Sequence, residues 1–191
     1  MKTTSLKPRL KRRLSPKRYN HSLRVAVWAA EIAGLCGANP DDAYLAGLLH
    51  DCERENTEAE LLAKARNNHL RLTKKYKAAP ALLHCLLGAR AAQNEFGIQN
   101  KDVLNAIKNH AAGRARMSRL EKIIYVADYT EPGRTYPKAA EIRRQLRRDK
   151  NIDRAVLSKA RSVLKYLKNK RLKSCSPARK RKSCSPSRSF L

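Results

Sequence analysis

Pro40-Asp-Asp-Ala-Tyr-Leu-Ala-Gly-Leu-Leu-His-Asp51 is the stretch that decides the fold. Pro40 with Asp41 and Asp42 has the makings of a helix start: a fixed φ followed by acids at the positive end of the dipole. The run Tyr44 to Leu49 is apolar throughout, so the helix is buried. His50-Asp51 therefore projects from the core rather than from a surface. At a helix C-terminus His suits the dipole and Asp opposes it. Asp51 is thus placed against local stability, a hint that chemistry holds it there.

Helix signals recur on both sides of this stretch. Tyr19 to Leu35 puts Leu23, Val27, Ala30 and Leu35 on one face, and Cys36-Gly37 ends it. Thr57 with Glu60 makes a capping box. Pro80 starts a helix through Leu82, Leu83, Leu86 and Leu87 towards Phe96-Gly97, and Asp102 initiates another ending near His110. Ser118 with Glu121 is a second capping box, opening Leu120 to Thr130, which Pro132-Gly133 stops. Pro137 begins a further helix. Ile152, Val156, Ala160, Val163 and Leu167 mark a last amphipathic one. No segment alternates as a strand, so the expected class is all-α.

Composition agrees with one helical domain. The 191 residues are 42% apolar and only 5% aromatic, enough to fill a core and biased away from strands. No apolar run approaches the ~20 residues of a membrane span, and the basic N-terminus lacks the apolar stretch of a secretory signal. Five cysteines without a C-x-x-C pair read as free thiols in a reducing cytoplasm; Cys52 and Cys85 read as packing residues. Of the net charge of +27, residues 1–18 carry +8 and residues 165–191 carry +10, with no acid in either. Such ends repel themselves, stay solvated and attract polyanions, so both are expected to be disordered. The expected division is a basic segment at 1–13, a helical domain at 14–170 and a disordered basic tail at 171–191. That tail repeats Lys-Ser-Cys-Ser-Pro at Lys173 and Lys182. Non-specific nucleic acid is its natural partner, and plain solubilisation is an equal reading.

His21, His50, Asp51, His110 and Asp128 all lie at or beside the end of a helical segment, where they can converge. Neutral imidazoles with carboxylates suit iron, manganese or zinc, and a mixed set commonly leaves positions open for water and phosphate.

These residues carry a resemblance. Leu14-Ser-Pro-Lys-Arg-Tyr-Asn-His21 and Ala46-Gly-Leu-Leu-His50-Asp51 resemble the opening of bacterial HD-domain phosphohydrolases. Ala106-Ile-Lys-Asn-His110, Gly113-Arg114, Ala127-Asp128-Tyr129 and Glu131-Pro-Gly-Arg134 follow in order. The whole, from about Leu14 to about Leu167, is similar to the YqeK family of symmetrical diadenosine tetraphosphatases. The resemblance implies a single HD-domain helical bundle that cleaves diadenosine tetraphosphate into two ADP. It implies that His21, His50, Asp51 and Asp128 hold the metal, a divalent or di-iron centre with iron foremost. Asp51 would also orient the attacking water. His84 and His110 would face the phosphates or help bind a second ion, and Arg54 and Arg134 would clamp phosphate with their planar guanidiniums. From its apolar helix alone His84 reads as a core histidine, and with the resemblance the two readings stand even. The chain departs from the family at Arg54, where a Lys is usual, and at Ala111, where a hydroxyl is common. Two other functions fit parts of the pattern: an HD hydrolase of a deoxynucleotide or an alarmone, and a basic nucleic-acid-binding protein with an idle pocket. A homodimer is allowed for.

Overall fold

The computed structural model describes residues 6–174 of the chain. Among the described residues there are ten α-helices and no strand: α1 Leu6–Lys11, α2 Pro16–Leu35, α3 Pro40–Leu49, α4 Glu58–Asn67, α5 Lys74–Ala78, α6 Leu83–Asn94, α7 Lys101–Asn109, α8 Arg119–Thr130, α9 Pro137–Asp149 and α10 Ile152–Ser174. A 3-10 turn at Pro80–Leu82 leads into α6. No described helix is long and apolar enough to cross a membrane.

Most boundaries follow from local chemistry. Thr57 and Ser118 cap α4 and α8 with complete capping boxes, Glu60 and Glu121 reaching back to the cap. Asn39 accepts from the backbone N–H of Asp41 and Asp42 ahead of α3. Asn100 caps α7 through the N–H of Asp102, so Asn100 rather than Asp102 sets that start. Pro16, Pro40 and Pro137 sit in the first turn of α2, α3 and α9, where a missing N–H costs nothing.

The main core lies between α2, α3, α7 and α8, with α9 and α10 closing one side. A smaller cluster of Leu61, Ala65, Tyr76, Leu83 and Leu87 joins α4 and α5 to α6. Trp28 is fully buried and its indole N–H donates to Thr130 Oγ1 at 2.8 Å, tying α2 to α8.

Two expectations are corrected here. The buried face of α2 is His21, Ser22, Val25, Ala26, Trp28, Ala29, Ile32 and Ala33, whereas Val27 is 61% exposed. The small residues Val25 and Ala26 on that face let α3 come against α2 at Gly47, and Trp28 bonds Thr130 of α8. The N-terminal segment, from Leu6 onward, is folded rather than a disordered tail. Leu6, Leu10 and Leu14 recur every four residues and are all buried. Arg9 and Arg13 reach Glu95 and the Phe96 ring, and Arg13 also pairs with buried Glu53. Arg13 is the cation of that segment that the fold pairs with carboxylates. The C-terminal tail from residue 175 lies outside the described residues, and α10 continues through the expected boundary at 170 to Ser174.

Gly47 of α3 lies directly against the backbone of α2. A Cβ there would stand 2.8 Å from Ala26 Cα and 3.1 Å from the Val25 carbonyl oxygen, both backbone atoms of α2. Gly47→Ala is therefore expected to destabilise the protein by ~1–3 kcal/mol through overpacking. Thermal unfolding followed by circular dichroism checks this, and an unchanged Tm would show that the α2–α3 spacing is set elsewhere.

Candidate metal centre

Five helices deliver one donor group or two each. His21 projects from the second turn of α2, and Asp128 from the last turn of α8. His50 and His110 are the C-cap residues of α3 and α7, both in helical conformation. Asp51 follows in the turn, and His84 lies at the start of α6. The four histidines and Asp51 are buried. Their rings meet edge to face in a chain, with centroids 5.3 Å apart for His21 and His50, 4.9 Å for His50 and His110, and 5.2 Å for His84 and His110.

Three of the imidazoles are oriented in the same way. His50 Nδ1 lies 2.7 Å from the Gly47 carbonyl, His110 Nδ1 lies 2.8 Å from that of Ile107, and His84 Nδ1 bonds that of Ala81. A carbonyl only accepts, so Nδ1 carries a proton and donates, and in the neutral ring Nε2 keeps its lone pair. All three Nε2 atoms face the same interior space. His21 is oriented differently. Glu131 Oε1 stands 3.1 Å from its Nδ1, and Asp128 Oδ1 stands 3.1 Å from its Nε2. Glu131 is itself held by Arg24 and the Gly133 N–H.

The carboxylates link the imidazoles. Asp51 Oδ2 is 3.7 Å from His50 Nε2, while Asp51 Oδ1 is 3.5 Å from both His84 Nε2 and His110 Nε2. Asp128 Oδ1 is 3.8 Å from His50 Nε2. His50 Nε2 is fully buried and has no hydrogen-bond partner. A buried acceptor left unpaired costs ~1–3 kcal/mol, and a cation is the partner its surroundings suit. Two groups have ligand atoms close enough to share an ion: His21 with His50 and Asp51, and His84 with Cys85 and His110, each within 4.8 Å. The donor chemistry fits a divalent transition metal.

The charge states of His50, Asp51 and Asp128 agree with that role; at His110 burial opposes protonation, but Cys85 and Asp51 outweigh it and raise the imidazole well above its usual range. Burial pulls the His50 imidazole down to about 4, so it is neutral near pH 7. Burial would raise Asp51, but His50 and His110 outweigh it and hold the carboxyl well below its usual range. Burial likewise opposes ionisation of Asp128, and the His21 hydrogen bond with the nearby His50 overcomes it. Neutral imidazole and ionised carboxylate are the ligating forms.

A basic cleft of about 410 Å³ opens onto His21, lined by Lys17, Arg18, Arg24, Arg134, Glu55 and Glu131 among others. Arg18 Nη1 donates to Asp51 Oδ2 at 2.8 Å, and Arg134 Nη2 to Asp128 Oδ1 at 3.3 Å. Arg134 also borders a second cleft of about 780 Å³ that contains Tyr129, Tyr136 and Tyr166.

The fold thus brings together His21, His50, Asp51, His84, His110 and Asp128, with Arg134 beside them. His84 belongs to the cluster, not to an apolar core. Arg54 is half-buried on the turn after Asp51; its guanidinium makes no hydrogen bond or ion pair among the described residues and does not line the basic cleft. Three residues escaped the sequence reading, and a fourth, Cys85, is misread there as a packing residue. Arg18 was submerged in a basic run, and Glu131 in a motif read for its Arg. Cys85 has no sequence-spaced partner, yet its Sγ is 3.3 Å from His84 Nε2. Lys159 falls on the apolar face of α10, buried behind α8 with its ammonium donating to the Tyr125 carbonyl, and burial lowers it to about 8. Its position on the stripe of Ile152, Val156 and Val163 is the only signal it left.

Residues 18–133 match the model of the HD domain family. The symmetrical bis(5'-nucleosyl)-tetraphosphatase of Staphylococcus aureus is 34% identical over 157 residues, 82% of this chain and 80% of that protein. The Bacillus subtilis protein of the same name is 34% identical over 165 residues, 84% and 85% of the two chains. A crystal structure from Clostridium acetobutylicum, described as a "predicted HD superfamily hydrolase involved in NAD metabolism", is 35% identical. It superposes with a TM-score of 0.83 over 89% of both chains. Its His-Asp doublet, helical architecture and relatives over most of its length agree: the chain belongs to the HD-domain family.

Proposed function

We propose that the protein is a metal-dependent phosphoanhydride hydrolase that splits diadenosine tetraphosphate symmetrically into two ADP. One observation carries the chemistry: an unpaired, buried His50 Nε2 amid converging His and Asp donors, opening onto a cleft of guanidiniums. The names of the staphylococcal and Bacillus relatives support the substrate.

In this reading His21, His50, Asp51 and Asp128 hold one ion. His84 and His110 hold a second, with the two oxygens of Asp51 facing both groups. Iron is the leading choice, with manganese and zinc as alternatives. A bound divalent ion lowers the pKa of its water from 15.7 towards ~7 and draws charge from a phosphoryl oxygen. The residues of the chain do the rest. Asp51 orients the attacking water. Glu131 fixes the ring of His21, and the carbonyls of Gly47, Ala81 and Ile107 fix the other three rings. Arg18 and Arg134 stand at the carboxylates from the cleft side, where each planar fork can take two phosphate oxygens. Arg54 is a further cation within the same turn as Asp51. Attack at the phosphorus second from a nucleoside leaves two equal diphosphates, and the tyrosine cleft beside Arg134 suits one of the bases. Basic residues beyond Ser174 add a non-specific attraction for polyanions that weakens as salt rises, and the expected compartment remains the cytoplasm.

Asp51→Ala is expected to abolish hydrolysis and lower metal content while helicity is kept. Metal analysis and circular dichroism of purified protein check it, and retained metal with near-normal turnover would remove the assignment. Product analysis decides the substrate: two ADP from diadenosine tetraphosphate are expected, and faster turnover of a deoxynucleotide or an alarmone would replace the reading.

Glu131→Gln keeps a hydrogen bond to His21 but drops the charge, and ~10–100-fold weaker metal binding is expected. Equilibrium titration tests this; unaltered affinity would reduce Glu131 to a partner of Arg24.

For the clamps, Arg134→Ala should raise the barrier by ~2–4 kcal/mol without loss of metal. Unchanged kcat/KM with diadenosine tetraphosphate would return Arg134 to the role of a loop charge.

A further inference from the structure

The geometry points to Cys85 as a metal ligand that gives the His84–His110 pocket a sulfur donor and makes it a site for a thiophilic divalent ion such as zinc or cobalt. The inference rests on the reading above that His84 and His110 hold an ion, and goes beyond it in the donor set and the metal.

Distances carry the argument. Bonds of about 2.3 Å to sulfur and about 2.05 Å to nitrogen put the edges of a coordination tetrahedron at about 3.3 Å between nitrogens and about 3.6 Å between nitrogen and sulfur. Here His84 Nε2 and His110 Nε2 are 3.4 Å apart, and Cys85 Sγ is 3.3 Å from the first and 3.9 Å from the second. Asp51 Oδ1 lies 3.5 Å from both imidazole nitrogens, within reach of an ion held between them. Both imidazoles already carry their protons on Nδ1, bonded to backbone carbonyls, so their lone pairs and the thiol share one space. Cys85 is 3% exposed.

Cys52 supplies the internal contrast. It is just as buried, but its Sγ stands 3.6 Å from the Gly88 carbonyl, with no imidazole in reach, and burial leaves it a packing thiol. Burial alone therefore does not explain the setting of Cys85. The consequence is a centre with two unlike halves. His21, His50, Asp51 and Asp128 offer nitrogen and oxygen only, which iron or manganese accepts. The other half adds sulfur, and soft donors favour zinc and cobalt over manganese.

The test is cobalt binding to metal-free, full-length protein in which Cys175 and Cys184 are replaced by serine, so that the tail contributes no thiol. The expected result is visible d–d absorption together with a near-ultraviolet sulfur-to-cobalt charge-transfer band. Cys85→Ser should keep the visible bands, lose the near-ultraviolet band and bind the second equivalent at least ~10-fold more weakly, since even an outer-sphere partner costs that much. X-ray absorption on the parent protein should find a sulfur scatterer at about 2.3 Å, a result that needs no variant to fold. Visible bands without a sulfur scatterer, or a charge-transfer band that survives Cys85→Ser, would overturn the role of Cys85 and leave the imidazole pocket standing. Absence of every cobalt band would overturn the metal centre and this inference together.

Discussion

The hydrogen bond from His50 Nδ1 to the Gly47 carbonyl is the constraint on which the centre depends. It is made within one turn of α3, so it is as rigid as the helix itself, and it leaves His50 Nε2 aimed at the interior with no partner. The same device recurs at His84 and His110. Each ring is thereby oriented by its own backbone, and the orientation survives only if the helices stay in register. Gly47 secures that for α3, because its missing Cβ lets the helix lie against the backbone of α2. Close packing and ligand geometry are one property here.

Assembling these groups without a cation is costly. Lone pairs and carboxylates are drawn out of water and pointed at one another, and burial works against ionising Asp51 and Asp128. The surroundings offset part of this with guanidiniums placed at the rim. Arg18 meets Asp51, Arg134 meets Asp128, and Arg24 meets Glu131 behind His21. Each pair does double duty: it steadies a carboxylate and leaves a positively charged wall along the cleft. A net charge of +27 extends that field over the molecule and favours the approach of polyanions such as a tetraphosphate bridge.

The N-terminal segment shows how charge misleads when it is read without partners. Its basic residues suggest a solvated tail, yet Leu6, Leu10 and Leu14 form a helical stripe that docks on the domain. Arg13 then finds Glu53 and Glu95, and Arg18 finds Asp51, across the fold. The apolar period was present in the sequence, obscured by Pro8 and by the surrounding cations. Those acids lie far along the chain, and no local rule links them to these arginines.

What the sequence alone determined was the helical class, most helix ends and the donor identities. Capping boxes at Thr57 and Ser118, prolines at helix starts and the buried run before His50 are local signals, set by hydrogen bonds and dihedrals within a few residues. The ordered His and Asp residues could be named as ligand types for the same reason. Tertiary structure alone decided which of them meet. The packing of five helices made Asp51 the link between two groups of imidazoles, brought Cys85 to His84 and His110, and put Arg18 rather than Arg54 on Asp51. It also chose the stripe of α2 that is buried, passing over Val27. These are contacts between residues separated by tens of positions, fixed by how close two helix backbones can come, and periodicity along one chain carries no record of that distance.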